Sequence, residues 1–233
     1  MQTKLKSFFA QKEDRASTNG TINSSEIFII DRKEDKGGDI VVLPIADFDV
    51  ESVKLQNTGK VKVFYYIFQD FSFKKERLFN GNMLGFEPLV SKDSYHHCEC
   101  ILFPNDLLGN EKWILLVETK YAHDYRAASE KKNDYPHCMV RQIVSTAEYL
   151  RRHNIIPPNK MVDAIVSFPK VVINYQSTLF QGDVYRENER ELDKSKPVTD
   201  NHMSITQIAK KYKIRIKAQN NAIINSETKI SFA

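Results

Sequence analysis

The apolar positions of this chain fall into short β-type runs with one long helical stripe among them. Glu26-Ile-Phe-Ile-Ile30 and Ile40-Val-Val-Leu43, separated by Asp35-Lys-Gly-Gly38, read as a hairpin. Val50 to Leu55 and Val61 to Phe68 add two strands, the second rich in the branched and aromatic residues that suit a pleated surface. His96 to Phe103 and Lys112 to Tyr121 follow as an antiparallel pair joined by the turn-rich Pro104 to Glu111. Met139, Val140, Ile143, Val144, Ala147 and Leu150 recur at i, i+3, i+4 and i+7 spacing, which predicts a helix from about Pro136 to His153.

Outside these elements the pattern is shorter or weaker. A short helix is expected over Thr3 to Gln11, and a short or broken one between Phe73 and Leu89, where Gly81, Gly85 and Pro88 interrupt. Met161 to Phe168 reads as a buried strand, and the charged stretch Tyr185 to Asn201 as an exposed excursion. Ser204 can cap a helix from Ile205 to about Tyr212, after which Lys213-Ile-Arg-Ile-Lys217 alternates as a strand with one basic face.

The expected fold class is α/β, a mixed sheet flanked by helices with a β-rich N-terminal extension. Its 233 residues, 41% of them hydrophobic, suffice for one full core. A single domain over 1–233 is expected, with a β-rich portion at 1–90, a core at 91–170, and a C-terminal excursion, helix and closing strands at 171–233. The net charge of +4 is too small to name a partner. Three cysteines, Cys98, Cys100 and Cys138, cannot all pair, which suits a reducing compartment. The opening residues break into charge after two aromatics and no stretch approaches the ~18 apolar residues of a membrane span, so a cytoplasmic protein is expected.

Candidate chemistry centres on Trp113-Ile-Leu-Leu-Val117, five apolar residues running directly into Glu118-Thr-Lys120. Such a run marks a strand covered on both faces, where charges at its end are expensive. Alternation puts Glu118 and Lys120 on one face. On the neighbouring strand Glu99 shares a face with His97, Ile101 and Phe103, while Cys98, Cys100 and Leu102 take the other. If the strands pair with Glu99 and Glu118 on the same face, two carboxylates and an ammonium converge. A divalent cation relieves the repulsion between the acids, and oxygen ligands suit Mg²⁺ or Mn²⁺. Metal-assisted phosphodiester hydrolysis is the chemistry this set would serve.

An acid in one strand, a hairpin, a hydrophobic run ending in Glu-x-Lys, then a helix and a further strand resembles the PD-(D/E)XK nuclease superfamily over roughly Glu99 to Phe168. The resemblance implies a restriction-endonuclease-like fold with Glu99 as first acid, Glu118 as second and Lys120 as the lysine. Members similar to the RecB nuclease domain add a glutamine on the following helix, which matches Gln142, although the helical period sets Gln142 roughly 100° or more from the apolar stripe. The family's first acid is usually aspartate, so Asp106 is an alternative to Glu99. An upstream helical glutamate would be Glu87.

The remaining clusters say less. His96, His97, Cys98, Cys100, His137 and Cys138 invite zinc, but Cys98-x-Cys100 on a strand is not the spacing of a structural zinc site. Arg126, Lys131 and Lys132 follow the catalytic strand and are the first choice for nucleic-acid contacts; Arg141, Arg151-Arg152, Lys210-Lys211 and the Lys213, Arg215, Lys217 ladder are further basic positions. Tyr121 and Tyr125 could stack on bases. The expected function is therefore a Mg²⁺-dependent nuclease acting on DNA, with a homodimer as the arrangement that would cut both strands. The competing reading is a non-catalytic nucleic-acid-binding or interaction protein that keeps the fold.

Overall fold

The computed structural model describes residues 1–10, 19–31, 40–45, 53–68, 97–106, 111–120, 125–129, 135–169, 180–188 and 200–232. Apolar alternation over the first third becomes α1 (Gln2–Ala10) and five strands: β1 (Asn19–Ile22), β2 (Glu26–Asp31), β3 (Ile40–Leu43), β4 (Val53–Asn57) and β5 (Val63–Ile67). The middle supplies β6 (Cys100–Pro104), β7 (Leu115–Thr119), the single turn α2 (Tyr125–Ala128), α3 (His137–Arg152) and β8 (Val162–Ser167). The rest forms β9 (Asp183–Asn188), β10 (Asp200–Ser204), α4 (Ile205–Tyr212), β11 (Ile214–Ala218), β12 (Asn221–Ser226) and β13 (Lys229–Ser231). No helix among the described residues is long and apolar enough to cross a membrane.

The architecture is mixed α/β. A six-stranded sheet in the order β1-β5-β6-β7-β8-β11 is antiparallel from β1 to β7 and parallel from β7 to β11. A second sheet, β13-β12-β4-β2-β3, packs on one face of it, and α1, α3, α4 and the β9–β10 pair cover the other. The β-rich N-terminal segment thus does two things. β1 and β5 enter the main sheet, whereas β2, β3 and β4 join the C-terminal β12 and β13 to build the covering sheet. The hairpin of β2 with β3 is present, and β6 and β7 pair antiparallel as expected.

Coverage of both faces explains the apolar runs. Every residue of β6, β7 and β8 is buried. Ile101, Phe103, Ile114 and Leu116 pack towards the helices, while Cys100, Leu102, Leu115 and Val117 pack towards the second sheet. Along α3 the expected stripe of Met139, Val140, Ile143, Val144, Ala147 and Leu150 is buried, but so are Arg141, Ser145, Thr146, Tyr149 and Arg151. α1 adds the extra cover through Phe8, whose ring meets Tyr149 at 5.9 Å and His153 at 4.4 Å.

Several expectations are corrected. Tyr185 to Asn201 is not simply an exposed excursion: β9 and β10 pair antiparallel, and Tyr185 is buried with its ring edge-on to Tyr212. β6 begins at Cys100, so His97, Cys98 and Glu99 precede the strand, and Cys98 packs with the helix-side core rather than opposite Glu99. Lys213 lies outside β11, at the C-cap of α4 with φ of 53°, a left-handed conformation. The broken helix expected over Phe73 to Leu89 lies outside the described residues. Ser204 does cap α4, through a capping box completed by Gln207.

Arg151 belongs to the fold rather than to a basic surface. Its guanidinium donates to the carbonyls of Tyr212 (2.5 Å), Lys160 (2.9 Å) and Lys213 (3.3 Å), and pairs with Glu148 at 2.8 Å. It ties the end of α3 to the approaches of β8 and β11, where the Lys213 carbonyl also accepts from the Val162 N–H at 2.9 Å. Arg151→Leu is expected to lower stability by about 3 kcal/mol, the order found when one partner of a buried charged network is removed, measured by urea unfolding.

Candidate active site

The site begins with the register of β6 against β7. Cys100 lies opposite Val117 and Ile101 opposite Leu116, which brings Glu99, the residue before Cys100, near Glu118, the residue after Val117. The Glu99 N–H donates to the Val117 carbonyl at 2.9 Å, one residue off that register, so Glu99 and Cys100 both meet Val117 at the head of β6. Glu118 has the parity of Leu116 and so faces the helix side of the main sheet, and Lys120, of the same parity, reaches the carboxylate of Glu99 as well as that of Glu118.

Lys120 follows at the end of β7, its own N–H donating to the Ser167 carbonyl of β8 at 3.0 Å. Its ammonium reaches Glu118 Oε1 at 2.6 Å and Glu99 Oε1 at 3.6 Å. The Glu118 side chain is wholly buried, Glu99 is 5% exposed and Lys120 23% exposed. Burial on its own disfavours the ammonium, but Glu118 and Glu99 outweigh it and hold the Lys120 pKa above the ordinary lysine value. The three residues form one charged cluster in a low-dielectric pocket, open to water through the lysine.

α3 reaches this cluster through polar side chains. Gln142 Nε2 donates to the His97 carbonyl at 3.1 Å, so its position off the apolar stripe aims it at the segment leading into Glu99. One turn later Thr146 Oγ1 accepts from the Cys98 N–H at 2.9 Å. His97 is buried, and its Nδ1 lies 2.9 Å from the Cys98 carbonyl. A carbonyl can only accept, which puts the imidazole proton on Nδ1.

Thr146 and Tyr135 were not singled out from sequence. Burial raises the phenol pKa of Tyr135, the charge of Lys120 opposes that, and Glu118 adds to the rise, so the ring lies within electrostatic reach of the cluster. Its edge packs on Phe168, 5.2 Å between centroids, just beyond β8. A threonine four residues after Gln142 was the one legible signal for Thr146; nothing in the local sequence marks Tyr135.

The other candidates separate from the site. Asp106 lies beyond Pro104, at the opposite end of β6 from Glu99, and the register gives it no approach to Glu118. Arg126 is exposed in α2. Glu87, Lys131, Lys132, His96 and Tyr121 lie outside the described residues, as does the side chain of Tyr125. Arg215 pairs with buried Asp163, Nε to Oδ1 at 2.8 Å and Nη2 to Oδ2 at 3.0 Å. Burial pushes the Asp163 carboxyl up and Arg215 pulls it back, so Arg215 has a structural task on the face towards the second sheet. Cys98 and Cys100 are free, fully buried thiols whose pKa values burial raises well above the ordinary range.

As a donor set the cluster offers two carboxylates, hard oxygen ligands of the kind Mg²⁺ and Mn²⁺ take, with a cationic group beside them. Among the described residues no group of three or more His, Cys, Asp or Glu side chains is placed to hold a metal, so Glu99 and Glu118 would have to be completed by backbone or water oxygens.

Lys120→Met leaves two buried carboxylates facing each other and should destabilise the protein by about 3 kcal/mol at pH 7, with Glu118→Gln in the same chain recovering part of the loss. Because the lysine pKa is raised on folding, its contribution is complete below 10.5 and fades only as pH rises through the higher folded value. Urea unfolding of both variants between pH 7 and 11 reads this, with the gap to wild type constant at first and narrowing only at the alkaline end.

Compared with known proteins, the chain matches no family model, no curated protein and no solved structure.

Proposed function

We propose that this protein is a divalent-metal-dependent nuclease that hydrolyses phosphodiester bonds in DNA, built on a restriction-endonuclease-like core of β5, β6, β7, α3 and β8. The observation that carries this reading is the convergence of buried Glu99 and Glu118 on Lys120 at the end of a strand covered on both faces. Burying two like charges side by side costs stability that a purely structural site avoids with apolar residues. An active site needs that charge density.

Glu99 and Glu118 would hold the cation. When bound, Mg²⁺ or Mn²⁺ supplies Lewis-acid stabilisation of charge on the phosphate oxygens and lowers the pKa of the attacking water. Glu118, with no solvent exposure, offers a carboxylate held rigidly by β7 between β6 and β8. Lys120, its ammonium kept protonated by the two acids, orients the nucleophile and neutralises charge growing on the phosphate. The lysine is the member of the cluster that meets solvent, and so the first to meet a backbone phosphate. Arg126, exposed on α2 shortly after the catalytic strand, is the described cation suited to a neighbouring phosphate. Cutting both strands of a duplex would take two such sites, supplied by a homodimer.

One observation favours a second reading. The Lys120 ammonium already sits 2.6 Å from Glu118, where it offsets the charge of the acid. A non-catalytic protein that keeps the fold to bind nucleic acid would need no more than this ion cluster.

Cleavage of supercoiled, linear and single-stranded DNA and of RNA, in Mg²⁺ or Mn²⁺, separates the two. The wild type is expected to cut DNA, and Glu118→Ala and Lys120→Ala each to lose about 100-fold or more in rate, the scale for removing one preorganised electrostatic group. Equal rates in the three proteins would remove the site from the reaction. Binding without cleavage, unchanged in both variants, would favour the second reading.

A further inference from the structure

Glu99 stands in a bend, ahead of the first residue of β6, where the strand ladder alone does not fix the backbone. Each backbone polar group from the His97 carbonyl to the Glu99 carbonyl nevertheless has a partner. The His97 carbonyl accepts from Gln142 Nε2 at 3.1 Å, and the Cys98 N–H donates to Thr146 Oγ1 at 2.9 Å. The Cys98 carbonyl meets His97 Nδ1 at 2.9 Å. The Glu99 N–H donates to Val117 and the Glu99 carbonyl accepts from Phe68, both at 2.9 Å.

The His97 carbonyl and the Cys98 N–H belong to one peptide group. α3 therefore grips both ends of a single peptide plane with two side chains spaced i, i+4, which the helical period sets one above the other. The Thr146 hydroxyl is itself oriented, since it donates to the Gln142 carbonyl at 2.8 Å and so turns its lone pairs towards Cys98. Thr146 is 1% exposed, a costly place for a hydroxyl that had no such task. A helix that needed only to pack on the sheet would carry an apolar residue there.

We infer that Thr146 and Gln142 are positioning residues for Glu99: they fix the His97–Cys98 peptide plane, the one before Glu99's own, and thereby set the approach of its carboxylate to Glu118. Gln142 then acts through the backbone of His97 rather than on the reacting atoms. The inference rests on the metal-dependent reading of the site and extends it to how the first acid is held. Displacing the peptide plane moves the Glu99 carboxylate relative to Glu118, and a cation shared between them binds more weakly.

The test uses the full chain and Mn²⁺ alone, without nucleic acid, with binding followed by calorimetry and amide exchange followed over residues 97–99. Thr146→Val keeps the side-chain shape and removes the hydroxyl; Thr146→Ser keeps the hydroxyl. The wild type and Thr146→Ser are expected to bind Mn²⁺ alike, and Thr146→Val about tenfold more weakly, the lower end of the loss on removing a group that orients a ligand. Exchange at Cys98 should quicken in Thr146→Val only. Gln142→Leu, at a partly exposed position, provides the same measurement should the valine variant fold poorly. Equal Mn²⁺ affinity in wild type, Thr146→Val and Gln142→Leu overturns the positioning role and leaves the metal reading in place. An equal loss in Thr146→Ser and Thr146→Val assigns the effect to packing and also overturns it. Absence of Mn²⁺ binding in the wild type, or binding that survives Glu99→Gln and Glu118→Gln, overturns the metal reading and this inference with it.

Discussion

Two carboxylates and one ammonium share a buried pocket at the end of the central strand pair, and the surrounding structure is arranged to hold them there. Glu118 has no solvent exposure, Glu99 almost none, and Lys120 reaches both. In such surroundings the attraction between unlike charges is strong, and so is the cost of leaving any of them uncompensated. The position of each group therefore matters more than it would at a surface. β7, held between antiparallel β6 and parallel β8, supplies a backbone with little freedom to relax.

The change from antiparallel to parallel pairing at β7 has a direct consequence for the site. β6 arrives from the opposite direction, which lets Glu99 at its head stand beside Glu118 at the end of β7. β8 runs alongside β7, and its Ser167 carbonyl takes the Lys120 N–H. One acid comes from the beginning of a strand and the other from the end of its neighbour. The helix α3 then closes the helix side, its apolar stripe on the sheet and its polar Gln142 and Thr146 on the segment ahead of Glu99.

The second sheet serves the same end from the other face. Its packing against Cys100, Leu102, Leu115 and Val117 is what turns β6 and β7 from half-exposed strands into fully buried ones. Without it the charged pocket would have a wet floor and ordinary surface electrostatics. Asp163 with Arg215 shows the contrast: there a buried acid meets a guanidinium that is 58% exposed, one carboxylate against one cation, a balanced pair. At Glu99 and Glu118, among the described residues, two buried carboxylates share one ammonium.

Local and periodic features follow from the order of residues alone. Five apolar residues before Glu118 required a strand covered on both faces, and the stripe from Met139 to Leu150 required a helix; both follow from the fixed 2.0 and 3.6 residue periods. Ser204 marked the start of α4 for an equally local reason, the need of its first N–H groups for an acceptor. The approach of Glu99 to Glu118, by contrast, depends on a register that alternation alone leaves open, since a shift of two residues keeps every side chain on its face. The same holds for the split of the N-terminal strands between two sheets, for the pairing of β9 with β10 across a highly charged stretch, and for the burial of Thr146. Each depends on which distant segments meet. Gln142 shows the boundary between the two most clearly: the period placed it off the apolar stripe, and only the tertiary packing of α3 against the approach to β6 gave that direction something to hold.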